Sequence, residues 1–149
     1  YLIPFYTSID EGKTAFYITE FVHDVEEGNY EDFFIRLQSL FADTPYELIR
    51  DLELHYQNVL FIVSKLLGFY VQAEYHTSDG RIDLTVQTDK YIYVMEFKFD
   101  GSAEEALQQI EEKRYILPFA KDNRKIVKAG VNFSSKTRNI EKWLVKEVE

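Results

Sequence analysis

Residues 80–99 read GRIDLTVQTDKYIYVMEFKF, and the periodicity of this stretch decides the fold. Ile82, Leu84 and Val86 alternate with polar residues, while Tyr91 to Phe99 is dense in aromatic and β-branched side chains. Both patterns predict strands, over 81–88 and 91–99, joined antiparallel at Asp89-Lys90. Alternation along the second strand puts Ile92, Val94, Glu96 and Lys98 on one face and Tyr93, Met95, Phe97 and Phe99 on the other. Two charges therefore interrupt an apolar face, and a buried Glu96 needs a compensating group. If Asp89 and Lys90 form a two-residue loop, opposed residues sum to 179 and Asp83 faces Glu96. Like charges that close destabilise a sheet unless a cation or a proton lies between them. A three-residue loop would shift the partner by one, and Asp-Lys is not a preferred loop pair.

Upstream, residues 69–76 alternate and Ser78-Asp79-Gly80 is turn chemistry, so a third strand precedes this pair in a meander. Before it, Phe33, Phe34, Leu37, Leu40 and Phe41 recur at helical spacing from a cap at Asn29, and residues 46–67 continue the 3.6 period to Gly68. Residues 1–28 show weak periodicity and read as an irregular or partly helical lead-in, or a linker from an upstream domain, ahead of a domain at 29–149. Downstream, Ser102 and Glu105 fit a capping box opening a helix bounded by Pro118. Lys125 to Phe133 reads as a fourth strand, parallel to its neighbour because a helical crossover leads into it. Ile140 to Val148 fits a closing strand or a terminal helix, and the strand is preferred.

The 149-residue chain has no cysteine, which excludes a disulfide scaffold, a thiolate metal site and cysteine nucleophile chemistry. No apolar run is long enough to cross a membrane and no signal-peptide pattern opens the chain, so a cytoplasmic protein is expected. Starting at Tyr1 rather than Met suggests a piece of a longer polypeptide. The net charge of −9 argues against nucleic acid on its face, but it is unevenly spread. Residues 1–53 hold 12 acids and 3 bases, residues 54–112 hold 10 and 4, and residues 113–149 hold 4 and 10. The last segment, Lys113 included, is the expected phosphate-facing side. The aromatic and acidic residues of 1–45 would suit protein contact better.

Two carboxylates without His or Cys spacing suit Mg²⁺ or Mn²⁺ rather than zinc. Beside Lys98, with Arg81 on the same face, such a cation lowers the pKa of a water and polarises a phosphodiester, which is hydrolytic chemistry. A structural cluster of cross-strand ion pairs is the competing reading.

Gly80-Arg81-Ile82-Asp83, then Glu96-Phe97-Lys98, then a helix with Gln109 and Tyr115, resembles the core of the PD-(D/E)XK nuclease superfamily. Glu53-Leu54-His55-Tyr56, Leu66-Leu67-Gly68-Phe69, Gln72-Ala73-Glu74 and Asp100 to Leu107 extend the likeness to the C-terminal nuclease domain of bacterial AAA-ATPase-like proteins. Coverage is about residues 30–148. The resemblance implies a restriction-endonuclease-like α/β fold, a mixed central sheet flanked by helices. It implies Asp83, Glu96 and the Phe97 backbone carbonyl as ligands of Mg²⁺ or Mn²⁺, with Lys98 as catalytic lysine. It further implies Glu53 on the first core helix as a direct or water-mediated ligand, Gln109 toward phosphate or the attacking water, and Tyr115 as an aid. The family's proline is replaced by Ile82. The expected function is a metal-dependent nuclease acting on nucleic acid, DNA before RNA, with Arg81, Lys113 and Tyr115 on the substrate. An upstream AAA-ATPase-like domain and a homodimer are the expected partners. The alternative is a non-catalytic interaction or regulatory module of an AAA-ATPase-like protein.

Overall fold

The computed structural model describes residues 11–43, 49–78, 81–113 and 116–148. Three helices, α1 (Glu11–Glu27), α2 (Tyr30–Ala42) and α3 (Leu52–Leu67), precede strands β1 (Gln72–Ser78), β2 (Arg81–Gln87) and β3 (Tyr91–Phe99). Helix α4 (Ala103–Glu112) and a short 3₁₀ turn (Leu117–Phe119) lead to β4 (Lys125–Ser134) and β5 (Asn139–Val148). The five strands form one sheet in the order β1-β2-β3-β4-β5, with β3 and β4 parallel and the other neighbours antiparallel. This is the α/β architecture expected, and the C-terminal segment is a strand. No helix among the described residues is long and apolar enough to cross a membrane.

The two faces of the sheet are covered unequally. Ile82, Leu84, Val86, Tyr93, Met95, Phe97, Val131 and Phe133 pack in one core with the apolar sides of α1, α2 and α3. On the opposite face, Ile92, Val94 and Ile126 pack with Ile110 of α4 in a smaller cluster. Glu96 and Lys98 belong to the α4 face by strand alternation.

Several elements differ from their sequence reading. Residues 11–27 form a regular helix whose Ile18, Phe21 and Val25 are buried, where an irregular or partly helical lead-in was expected. Its weak periodicity reflects a narrow apolar stripe that gains order from packing, with Phe21 tilted against Phe33. Phe33, Phe34 and Phe41 are likewise in the core, so these three rings are not available to a partner. Helix α3 starts at Leu52, where the Asp51 carboxylate accepts from the Leu54 N–H and caps it; residues 46–48 of the expected helix lie outside the described residues. Asn29 occupies the cap of α2 without a side-chain capping bond. Ser102 does cap α4, its hydroxyl accepting from the Glu105 N–H, but the helix stops at Glu112, well before Pro118.

Candidate active site

The β2–β3 hairpin closes on a two-residue loop, Thr88 N–H donating to the Tyr91 carbonyl at 2.8 Å. Asp89-Lys90 suffices because the Thr88 hydroxyl accepts from the N–H groups of Lys90 and Tyr91, at 3.3 and 2.9 Å. Opposed residues therefore sum to 179, and Asp83 lies directly across from Glu96. Hydrogen-bonded and non-hydrogen-bonded pairs alternate along an antiparallel ladder, so counting from Thr88–Tyr91 makes Asp83–Glu96 the closer, non-hydrogen-bonded kind.

Glu96 has 0% relative exposure, and neither carboxylate oxygen receives a hydrogen bond from the described residues. Burial first, then the charge and the contact of Asp83, push its pKa up to about 7 against the opposing pull of Arg81 and Lys113. Two ionised carboxylates are acceptors only, so this contact becomes attractive when a proton or a cation stands between them.

Arg81 and Lys113 are the cations that act most strongly on Glu96. The Arg81 guanidinium also donates to the Gln109 side-chain oxygen at 3.1 Å, tying β2 to α4 over the carboxylates. Lys98 is half-buried two residues along the same strand face, and its stem would lie 3.0–3.7 Å from any Cβ at Gly101. Asn132, its neighbour on β4, accepts from the Gly101 N–H at 2.8 Å and fixes that turn. The Phe97 carbonyl belongs to a hydrogen-bonded pair with Ile82 by the same alternation, which leaves one lone pair for a ligand.

Glu53 is half-buried in the first turn of α3. Its link to the pair runs through Tyr56, whose phenol is pushed well up by burial, then by Tyr75, Glu53 and Glu96. Among the described residues no three His, Asp or Glu side chains converge as a metal cage. Tyr115 lies outside the described residues.

Five of the ten bases in residues 113–149 are held in ion pairs with acids. Lys128 and Lys146 pair with Glu111, Lys142 with Glu104, Lys125 with Glu147 at 3.1 Å and Arg124 with Asp122 at 2.7 Å. Charges distant in sequence are neighbours on the sheet, a pairing that net charge by segment does not register.

Three contributors escaped the sequence reading. His76 of β1 lies directly opposite Asp83, and the Ser78–Arg81 pairing was a signal that could have placed it. Tyr56 brings a buried phenol beside Glu53, three residues away on the same helix face. Gly130, the β4 neighbour of Glu96, has no room for a side chain: a Cβ there would sit 2.4 Å from the Ala103 carbonyl and the Leu107 N–H. Helix α4 thus rests on the β4 backbone, which brings Gln109 within reach of Arg81.

The donors present suit a hard divalent cation, since a buried carboxylate without donors beside a second carboxylate is oxygen-rich and lacks only positive charge. The family described as the PD-(D/E)XK nuclease superfamily matches residues 51–143. A protein of Azotobacter chroococcum mcd 1, named only as an uncharacterized protein in the vnfD 5' region, is 32% identical over 117 residues. That alignment covers 74% of this chain and 23% of the relative, so the chain spans about a quarter of the relative's length. No solved structure matches. The chain belongs to the PD-(D/E)XK nuclease superfamily.

Proposed function

We propose that the chain hydrolyses phosphodiester bonds of nucleic acid, DNA before RNA, with Mg²⁺ or Mn²⁺ as cofactor. The observation that carries this reading is the wholly buried Glu96, opposed by Asp83 and given no N–H or hydroxyl donor by the described residues. Asp83 and Glu96 would hold the cation, with the Phe97 carbonyl in support and Glu53 acting at one remove. When bound, that cation polarises the phosphodiester and makes a water more acidic. Lys98 orients the attacking water and offsets charge developing on phosphate, as a positioned ammonium does in a partly dry site. Arg81 and Lys113 receive the substrate phosphates, Gln109 is aimed by its bond to Arg81, and Tyr115 assists. The aligned stretch is 23% of the Azotobacter relative, which leaves room for the upstream AAA-ATPase-like domain we expect as partner.

Calorimetric titration with Mn²⁺ should give heat in the wild-type chain that Asp83→Ala abolishes. Linear, circular, single-stranded and branched DNA, with RNA alongside, should then be cut by the wild type and not by Asp83→Ala or Lys98→Ala, both still folded by circular dichroism. Equal residual cleavage in either variant sinks the catalytic reading, and absence of Mn²⁺ heat favours a non-catalytic module.

A further inference from the structure

The exposed large apolar side chains among the described residues are Ile35, Leu54, Phe61, Phe69 and Tyr70, and four of these lie along α3 or on its connection to β1. Leu54 and Phe61 are seven residues apart and share a helix face. Phe61 stands edge-on to Tyr75 of β1 with ring centroids 5.4 Å apart, and Lys65 lies over the same ring. Phe61, Lys65, Phe69, Ala73 and Tyr75 border an open cleft of about 390 Å³. Scattered exposed apolar residues need no explanation, but a contiguous group beside a strand edge does.

No described residue pairs with that edge. Among the described residues strand β1 has a neighbour only in β2, and its titratable groups are Glu74, Tyr75 and His76. The other edge, β5, carries Glu141, Lys142, Lys146 and Glu147, the kind of charged strand that resists edge-to-edge pairing.

We propose that β1 pairs antiparallel with β1 of a second copy of this chain, about a two-fold axis through Tyr75. The register follows from charge. An axis perpendicular to the sheet keeps the two faces of both copies in line, so opposed residues must sum to an even number. A sum of 148 sets Glu74 against Glu74, and a sum of 152 sets His76 against His76. A sum of 150 sets Glu74 against His76 twice over, where the imidazole can donate to the carboxylate and attracts it further when protonated; the two side chains already lie 3.8 Å apart within one copy. The two Tyr75 rings then face each other, each flanked by its Phe61, and the exposed side of α3 meets its counterpart. Aromatic and opposite-charge pairs are the cross-strand contacts that stabilise such a ladder. The two sheets become continuous, and the pairing stands independently of the catalytic reading.

Sedimentation velocity of the full chain at micromolar concentration should give twice the chain mass of 17.7 kDa. His76→Glu, which opposes glutamates, should give monomer. The exchange Glu74→His with His76→Glu should restore dimer, with circular dichroism unchanged throughout. Because the chain has no cysteine, Tyr75→Cys provides a single thiol at the axis. Mild oxidation should yield a covalent dimer there and none with Lys146→Cys on the β5 edge. A wild-type monomer, a dimer indifferent to His76→Glu, or a dimer without the Tyr75→Cys cross-link overturns the proposal. So does a monomer whose β1 amides are protected from exchange, which would show another segment of a longer chain covering the edge.

Discussion

Asp83 and Glu96 face each other across β2 and β3 as a close pair of acids, and the second is wholly buried. The Glu96 pKa is raised from 4.5 to about 7, so between those values the folded state holds a proton that the unfolded state has released. Without metal, the stability contributed by that proton is fully present below about 4.5 and lost as pH rises through about 7. The loss is on the order of 3 kcal/mol. Urea denaturation in chelator should show this decline in the wild type and a flatter profile in Glu96→Gln. Adding Mn²⁺ at pH 8 should recover the loss in the wild type alone.

Gly130 sets the height of α4 above the sheet. Gly130→Ala drives a methyl group against the Ala103 carbonyl and the Leu107 N–H, backbone atoms with no rotamer to yield. The expected cost is about 1–3 kcal/mol from overpacking. The helix should also shift enough to break the Arg81–Gln109 bond, so cleavage should fall more than stability does at temperatures where the variant is folded. Thermal denaturation and cleavage assays on one preparation separate the two effects.

Lys128 is buried and its partner Glu111 is half-exposed. Glu111→Ala leaves that ammonium without its acceptor and should cost about 3 kcal/mol in chemical denaturation. Lys142→Ala, at an exposed pair with Glu104, should leave the denaturation midpoint nearly unchanged.

Since Lys128, Lys142 and Lys146 are paired, they should contribute little to nucleic-acid binding. Lys142→Ala should leave affinity and its salt dependence unchanged. Arg81→Ala and Lys113→Ala should each weaken binding and lower the salt slope by about 1, as loss of one phosphate contact does. Fluorescence anisotropy across a salt series checks this.

The sequence by itself determined strands β1 to β4 and the crossover, because alternation is a local property written residue by residue, and it offered the Asp83–Glu96 opposition as one of two registers that the Thr88 hydrogen bonds decide. It also carried the capping of α4 by Ser102. Short-range pattern did not show that α1 completes the core, since Phe21 is buried only once Phe33 arrives from another helix. Nor could it show that the basic C-terminal strands would be neutralised by the acids of α4, or that Gly130 would serve as the seat of that helix. Those outcomes depend on which surfaces meet, and residues far apart in the chain meet only when the sheet is complete. The carboxylate pair was legible as two acids in register. Only the tertiary structure buried Glu96, denied it donors and placed Arg81, Gln109 and Lys113 around it, because burial and electrostatic surroundings are properties of packing rather than of period.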